Sequence, residues 1–169
     1  MGCRGQPTCY RCKDCRGPNF KRPVEVTTIR TKRGADKKQG KLRAFKVLRK
    51  ESYYSSGRTR RSWRGPYYDY RYIVGKIAKE LYPDRSTCRA CGVGINVSTL
   101  SDCLKWILQH QGSLYEWKIG VLEFTRLDIA AIPTVSGFSV HGNMKNKFRL
   151  FRAKLVKVLS PKEAKKIYG

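Results

Sequence analysis

The segment from Ser55 to Tyr72, SSGRTRRSWRGPYYDYRY, constrains what this chain can fold into more than any other stretch. It holds five arginines, four tyrosines, one tryptophan and two glycines. A guanidinium group without a partner is very costly to remove from water, so the segment cannot be buried against apolar side chains. It is also too aromatic for a plain solvated loop. The composition favours a surface that lies against a dense, planar, negatively charged partner.

The whole chain is strongly basic, with 37 Lys and Arg residues against 12 acids and a net charge of +25. The charge is uneven, at +16 for residues 1–64 and +9 for residues 65–169. Such a chain repels itself, so its compact state needs counter-charge. Nucleic acid is the expected source, because duplex carries one negative charge per ~1.7 Å of its axis.

A membrane role is not indicated. The sequence has no basic amphipathic helix with a strong apolar face, which binding to a membrane surface would need. No apolar run approaches the ~20 residues that span a bilayer. There is no apolar stretch after Met1 of the kind found in secretory signals, so we expect none.

The chain has seven cysteines, an odd number, and without a secretory signal a disulfide framework is not expected. Four cysteines lie near the N terminus with C-x-x-C spacing, which lets two thiolates reach one zinc ion. A structural zinc site needs four ligands, so these four could close one site. The candidate zinc ligands are Cys3, Cys9, Cys12 and Cys15.

Other readings of the cysteines stay open. Cys9 and Cys12 could join Cys88 and Cys91 in a C-x-x-C pair of pairs, although side chains three apart on a strand point to opposite faces. Cysteine ligation of an iron–sulfur cluster is another alternative. Unligated thiols, with Cys88, Cys91 and Cys103 as small core residues, are the simplest one.

Composition divides the chain into three zones. Residues 1–52 are predicted to be a basic, cysteine-containing arm, disordered alone and ordered on a partner, because charged residues dominate and apolar ones are few. Within this arm KLRAFKVLRK (Lys41–Lys50) fits either a strand or one to three helical turns. Residues 53–142 are predicted to be the folded domain. Residues 143–169 form a basic tail.

Short apolar runs separated by turn residues predict a mainly β domain, a small barrel or sandwich. In the tail, Ser160, Pro161 and Glu163 predict a short helix, with Ser160 as N-cap and Glu163 completing a capping box. The strand candidates and strongly apolar runs are Tyr70–Leu81, Cys88–Val97, Leu104–Gln109, Leu114–Leu127, Ala130–Gly142 and Phe148–Leu159.

Six pieces of the chain follow one another in the order in which similar pieces occur in a known family. The segment Ser56–Ile73 is similar to the family's Gly-Arg-x-Thr-x-Arg, glycine-rich and Tyr-Arg stretch. YPDRST (Tyr82–Thr87) resembles its Tyr-Asp-Pro-Asn-Arg-Ser-Ala turn, and IPTVSGFSVH (Ile132–His141) resembles its Ile-Pro-x-Gly-x-x-Val-His. On these pieces the chain resembles the N-terminal half of large-subunit ribosomal protein two, in its bacterial form. The other matching pieces are Asp102–Gly112, Tyr115–Gly120 and Leu150–Leu159.

The chain also departs from that family. The family's triple glycine is reduced to Gly65, and residues 1–52 match nothing in it. The family's second half, an SH3-like barrel with an extension, has no counterpart here. The departure implies a gene split into two polypeptides, a truncated protein or a different identity. A split bacterial-type ribosomal gene points to an organelle, the mitochondrion first and the chloroplast as the alternative.

The resemblance implies an OB-type β-barrel for residues of about 65–142, a fold that binds nucleic acid through a basic groove and aromatic platforms. It implies a structural constituent of the mitochondrial large ribosomal subunit, located in the matrix. The partners would be large-subunit rRNA, neighbouring ribosomal proteins and a separate chain carrying the missing half. In that case Phe148–Leu159 would begin an SH3-like barrel that the second chain completes.

Catalysis is not expected. The sequence has no Walker loop, no G-x-S-x-G and no H-x-E with C-x-x-C. His110 and His141 are isolated histidines without an acid motif nearby, which is typical of packing or RNA contact.

Arginine forks that grip phosphate and aromatic rings that stack on unpaired bases define the candidate RNA-binding residues. In the turn YPDRS, Arg85 either contacts RNA or only neighbours Asp84 and Ser86, which shape the turn. The candidates are Arg43, Lys46, Arg49, Lys50, Arg58, Arg60, Arg61, Trp63, Arg64, Tyr67, Tyr70, Arg71, Arg85, Lys147, Arg149 and Arg152.

Two other classes fit part of the pattern. A viral coat or nucleocapsid protein also combines a basic arm with a small β-domain, but the residues after the arm are few for an eight-stranded jelly roll. A coat protein assembles into symmetric particles of many copies, whereas a ribosomal protein is present once per ribosome. A free zinc-dependent regulator would need the metal for folding and would bind a defined nucleic-acid site.

Overall fold

The computed structural model describes residues 41–66, 70–83, 93–131 and 147–169, and its central element is one long strand, β1. The described residues are mainly β, as predicted. Their elements in chain order are β1 (Lys41–Ser55), β2 (Arg58–Arg64), β3 (Arg71–Tyr72), β4 (Ile77–Lys79), β5 (Ile95–Val97), α1 (Leu100–Gln109), β6 (Trp117–Thr125), a 3-10 helix (Arg126–Asp128), β7 (Ile129–Ala131), β8 (Phe148–Leu150), β9 (Arg152–Leu159) and α2 (Pro161–Tyr168).

Six strands form an antiparallel sheet in the order β3-β2-β1-β6-β9-β4. The two end strands, β3 and β4, are separated only by residues 73–76 and contact each other, so the sheet must curl into a nearly closed barrel. Gly75 makes this sharp turn with φ of 83°, a conformation that glycine adopts without steric cost. Its N–H donates to the carbonyl of Leu155 at 2.8 Å, which ties the turn to β9.

A second, three-stranded sheet in the order β5-β8-β7 is attached to the barrel. Phe45 of β1 exchanges two backbone hydrogen bonds with Ser98, at 2.9 and 2.8 Å, just after β5. On the other side, the N–H of Phe151, between β8 and β9, donates to the carbonyl of Asp128 at 2.7 Å. The small sheet is therefore fixed to both β1 and β9.

Both faces of β1 are buried, each in a different core. Because successive side chains of a strand point to opposite faces, Ala44 and Leu48 enter the barrel while Phe45 and Val47 point outward. The outward pair packs under α1 and α2. The barrel core is Ala44, Leu48, Tyr72, Ile95, Val97, Leu122, Phe124, Ile129, Phe148, Leu150, Ala153 and Leu155, and the outer core is Phe45, Val47, Leu100, Cys103, Trp106, Ile119, Val121 and Ala164.

The helix α2 begins as predicted. Ser160 is its N-cap and accepts a hydrogen bond from the N–H of Glu163, while Pro161 occupies the first turn. The Glu163 carboxylate accepts from the N–H of Ser160 at 2.8 Å, which completes the capping box. Hydrogen bonds from the hydroxyl of Ser160, at 2.7 Å, and from its N–H hold the pKa of Glu163 below its usual range.

The apolar run Leu104–Gln109 is helical, and it belongs to α1 rather than to a strand. Leu100, Cys103 and Trp106 recur every three residues and bury one side of this helix in the outer core, a helical period that a short apolar run conceals. The hydroxyl of Thr99 caps the helix by accepting from the N–H of Asp102 at 3.3 Å. Burial raises the pKa of the Cys103 thiol to about 12, so this cysteine packs as a small apolar residue.

The predicted division into arm, domain and tail differs from the described structure at both boundaries. Strand β1 runs without interruption from residue 41 to residue 55, across the expected boundary at residue 52, because its apolar residues fill both cores. Strand β9, expected in the tail, pairs with β6 on one side and β4 on the other. Residues 41–49 and 152–159 are thus integral to the barrel.

The other strand predictions are met over shorter stretches. Tyr70–Leu81 contains β3 and β4, Leu114–Leu127 contains β6, and Phe148–Leu159 contains β8 and β9. Cys88–Cys91 and Ile132–His141 lie outside the described residues. The OB-type identity of the barrel remains a prediction.

Gly120 supplies a test of how tightly the barrel is packed. A Cβ at Gly120 would lie 2.4 Å from Cδ1 of Leu48, which is fully buried and cannot turn away, and 3.2 Å from Cδ1 of Leu155. Gly120→Ala is therefore expected to lower the free energy of unfolding by about 1–3 kcal/mol, measured by urea denaturation. The matched control is Gly112→Ala, whose Cβ would meet nothing within 4 Å. Equal stability of the two variants would contradict the packing described.

Candidate nucleic-acid interface

The arginine-rich segment forms the second half of a β-hairpin. Strands β1 and β2 are joined by Ser56 and Gly57, which have φ of 52° and 75°. Two successive residues with positive φ give the turn type whose twist matches that of the paired strands. The turn therefore places Arg58, Arg60 and Arg61 opposite the end of β1.

This hairpin projects beyond the barrel. Strand β1 pairs with β6 only from Lys41 to Arg49, and β2 pairs with β3 only at Trp63 and Arg64. Among the described residues, residues 50–62, here called the ribbon, consequently pair only within the hairpin of β1 and β2. An isolated two-stranded ribbon is marginally stable in water, so its base needs support.

Three arginines from three strands stand side by side at the base of the ribbon. Arg49 of β1 lies opposite Arg64 of β2, and Arg64 lies opposite Arg71 of β3. Residues directly opposite share a face of the sheet, and neighbouring strands are ~4.8 Å apart. We call Arg49, Arg64 and Arg71 the arginine row. Trp117 of β6 lies opposite Arg49 and continues the row.

A single carboxylate, Glu51, stabilises the row. Its Oε2 accepts a hydrogen bond from Nε of Arg64 at 2.7 Å and lies 3.7 Å from Nε of Arg71. The hydrogen bond from Arg64 is the main reason why the pKa of Glu51 is lowered from its usual value. Because Arg58 and Arg60 lie on the same face farther along the ribbon, this face holds five arginines and, among the described residues of β1, β2 and β3, one acid.

Aromatic rings lie among these cations. The guanidinium carbon of Arg71 is 4.3 Å from the ring centroid of Tyr53, and that of Arg49 is 4.2 Å from the centroid of Tyr115. Cation–π contacts of this kind hold both partners in place. Tyr115 also meets Trp117 edge-on at 5.7 Å, and about half of its surface is exposed.

The far part of the ribbon is open to solvent. Arg58, Arg60 and Arg61 are exposed, and in the described part of the chain no acid pairs with them. Lys50 is exposed as well, and Tyr54 is 75% exposed. The ribbon therefore carries an uncompensated positive charge with aromatic rings beside it.

Four candidate residues lie away from this surface and serve the fold. Arg149 has no exposed surface, and the amine of Lys46 donates to the carbonyl of Asn96 at 3.0 Å inside the barrel. Arg43 pairs with Glu123 at 3.3 Å, and Arg152 pairs with Asp128. A buried cation is tolerated only with polar partners, so Lys46 and Arg149 are not available to RNA. The side chains of Arg43 and Arg152 are 23% and 54% exposed, and their RNA contacts stay predictions.

Two aromatic candidates are also engaged with the protein. Trp63 and Tyr70 pack against the barrel core, and the hydroxyl of Tyr70 donates to the carboxylate of Glu80. This hydrogen bond holds the pKa of Glu80 below its usual range. Lys147, at the start of β8, is half-buried. Tyr67, Arg85 and the cysteines at positions 3, 9, 12 and 15 lie outside the described residues.

Sequence reasoning missed Tyr53 and Tyr115. Tyr53 falls within a stretch read mainly as the junction of arm and domain, and Tyr115 lies 44 residues after Arg71. Only the register of β6, β1 and β2 brings these rings to the arginine row, and no local pattern encodes that register.

Among the residues with described positions, no three His, Cys, Asp or Glu side chains cluster as metal ligands would, and no helix has the length and apolar character to cross a membrane. His110 stacks on Trp106 with ring centroids 3.7 Å apart, which is a packing contact. No protein-family model, curated protein or solved structure matches the chain.

Replacing Glu51 by Gln should loosen the ribbon, because it removes the charge that holds Arg64 and Arg71. A part-exposed ion pair contributes at most ~1 kcal/mol, so amides of the ribbon should exchange up to about fivefold faster at neutral pH. Hydrogen exchange read by mass spectrometry measures this. Glu116→Gln is the control, since Glu116 is 80% exposed and its carboxylate pairs with Lys118.

The same contact predicts a pH dependence. A carboxylate whose pKa is lower in the folded state than in the unfolded state stabilises the folded state when the pH lies above the unfolded-state pKa. This stabilisation is lost as the pH falls through the folded-state pKa. As the pH falls below 4.5, the usual pKa of a glutamate, the hydrogen-exchange protection of the ribbon in the wild type should therefore decrease towards that of the Glu51→Gln variant. A constant difference between the two proteins across this range would show that Glu51 does not carry the effect.

Proposed function

We propose that this chain is a structural RNA-binding constituent of the mitochondrial large ribosomal subunit, and that the ribbon is its principal contact with rRNA. The observation that carries the proposal is the face shared by the ribbon and the arginine row, which holds five arginines and, among the described residues of β1, β2 and β3, one carboxylate, beside an element that protrudes from the barrel. A surface of this charge is at its most stable against polyphosphate.

The shape of the ribbon suits a position between RNA helices. Strand β2 has seven residues, and at ~3.4 Å per residue its length is roughly 20 Å, measured from the barrel edge towards the tip of the ribbon. Arg58, Arg60 and Arg61 are exposed along it and can each present a planar fork to a phosphate. Phosphate contacts position a protein on RNA without reading its sequence, which is the task of a structural ribosomal protein.

The ribosomal part of the proposal rests on the ordered resemblance to the N-terminal half of large-subunit ribosomal protein two. A mainly β, nearly closed barrel is compatible with the OB-type domain that this resemblance implies. Under this proposal the partners are large-subunit rRNA and neighbouring ribosomal proteins, and the location is the mitochondrial matrix.

Sedimentation of a native lysate tests the ribosomal assignment directly. The chain, followed by mass spectrometry on a sucrose gradient, should travel with the large ribosomal subunit at one copy per particle. Recovery in uniform particles of many copies would instead favour a coat protein. Recovery at the top of the gradient would also contradict the proposal.

The ribbon is tested by replacing its exposed arginines. The triple variant Arg58→Gln, Arg60→Gln, Arg61→Gln should bind RNA at least tenfold more weakly, as a rough expectation, with a shallower dependence on salt. The matched control is Lys162→Gln, Lys165→Gln, Lys166→Gln on α2, which removes the same charge from exposed positions. Fluorescence anisotropy at several salt concentrations measures both. Equal weakening in the two variants would mean that overall charge, and not the ribbon, governs binding.

A further inference from the structure

Tyr115 is held in place from several sides although about half of it is exposed. It lies in the loop between α1 and β6, where its N–H and its carbonyl both hydrogen bond to the hydroxyl of Ser113, at 3.4 and 3.3 Å. The indole N–H of Trp117 donates to the same hydroxyl at 2.7 Å. The N–H of Ser113 in turn donates to the carbonyl of His110 at 3.1 Å. The ring is thus positioned before any ligand arrives.

The buried part of Tyr115 includes its contact with Arg49. Arg49 is only 7% exposed as a residue, and its guanidinium carbon lies 4.2 Å from the ring centroid. Tyr115 is supported in this way by a cation while 49% of the residue is exposed, so its exposed surface can meet a flat partner. Nucleobases are such partners, because every base has a π-face that stacks on aromatic side chains.

The ring also lies beside the arginine row. Trp117, the edge-on neighbour of Tyr115, is opposite Arg49, and Arg64 and Arg71 follow on the next two strands. A polynucleotide strand that lies across these strands meets one aromatic ring and then two guanidinium groups with side chains 23% and 40% exposed. This is the combination of stacking platform and phosphate-binding groove found in single-strand binding sites.

Stacking on Tyr115 would favour unpaired RNA over paired RNA. In a duplex the base faces are covered by neighbouring base pairs, so a protein meets only phosphates, 2′-hydroxyl groups and base edges. We infer that the arginine row and Tyr115 bind an unpaired stretch of RNA, with one base on Tyr115 and the adjacent phosphates on Arg64 and Arg71. The inference rests on the proposed RNA-binding function and specifies the kind of RNA.

The test compares three probes on the full chain: single-stranded oligouridylate, an abasic ribose-phosphate strand of the same length, and a duplex of the same length. Tyr115→Leu removes the ring but keeps an apolar side chain. It should weaken oligouridylate binding about tenfold, leave the duplex and abasic affinities unchanged and leave the salt dependence unchanged. Tyr115→Phe should bind as the wild type does, because the ring remains. Tyr82→Leu is the control for losing an exposed tyrosine, since Tyr82 is 85% exposed and lies just after β4, outside the strands that carry the row.

The outcomes separate the two proposals. If the wild type binds oligouridylate no better than the abasic strand, no base stacks at the site. This result from the wild type alone would show that the inference is wrong. If Tyr115→Leu weakens all three probes equally, or none, the inference is also wrong, while loss of RNA binding in the ribbon variant still supports the proposed function. If the wild type binds none of the probes, both proposals fall.

Discussion

The fold depends on strand β1 being buried on both faces between Ala44 and Leu48, where it pairs with β6, before it pairs with β2 farther on. Its inward residues, Ala44 and Leu48, fill the barrel, and its outward residues, Phe45 and Val47, fill the core under the two helices. The same strand runs on past the end of β6 and becomes half of the ribbon. The ribbon is therefore a continuation of the most deeply packed strand of the molecule. Rigid anchoring of this kind lets a marginal two-stranded element keep a fixed direction.

Cations in this protein divide into those that serve the fold and those that remain available. Lys46 and Arg149 are buried, and Arg43 and Arg152 pair with Glu123 of β6 and Asp128 of the 3-10 helix. A buried cation that loses a polar partner is left with an uncompensated charge, which is strongly destabilising. The ribbon has one acid, Glu51, at its base, and in the described part of the chain no acid pairs with its exposed arginines. The net charge is high throughout the chain, so charge alone does not distinguish the cations that serve the fold from those that remain available.

The structural features that depend on residues close together in the sequence were predicted well. The capping box of α2 and the strand at Trp117–Thr125 follow from residues within a few positions of each other, and the mainly β class follows from short apolar runs between turns. Two local patterns were misleading. The charged residues around Phe45 and Val47 suggested an arm, because a strand buried on both faces lacks simple alternation. Leu104–Gln109 was too short to distinguish the periods of helix and strand, and its N-cap, Thr99, is what starts the helix.

The site was predictable only in part because it is assembled from distant segments. Arg58, Arg60, Arg61, Arg64 and Arg71 belong to one basic stretch, and composition alone identified them. Their arrangement depends on which residue of β1 lies opposite which residue of β2, and a shift of one position would turn every side chain to the other face. With the observed register, Arg49 joins Arg64 and Arg71, and Tyr115 arrives with β6. The guanidinium groups of the arginine row repel one another, and the carboxylate of Glu51 compensates only part of that repulsion. A polyphosphate strand would supply the rest of the counter-charge, so the ordering of the ribbon and the binding of RNA are expected to reinforce each other.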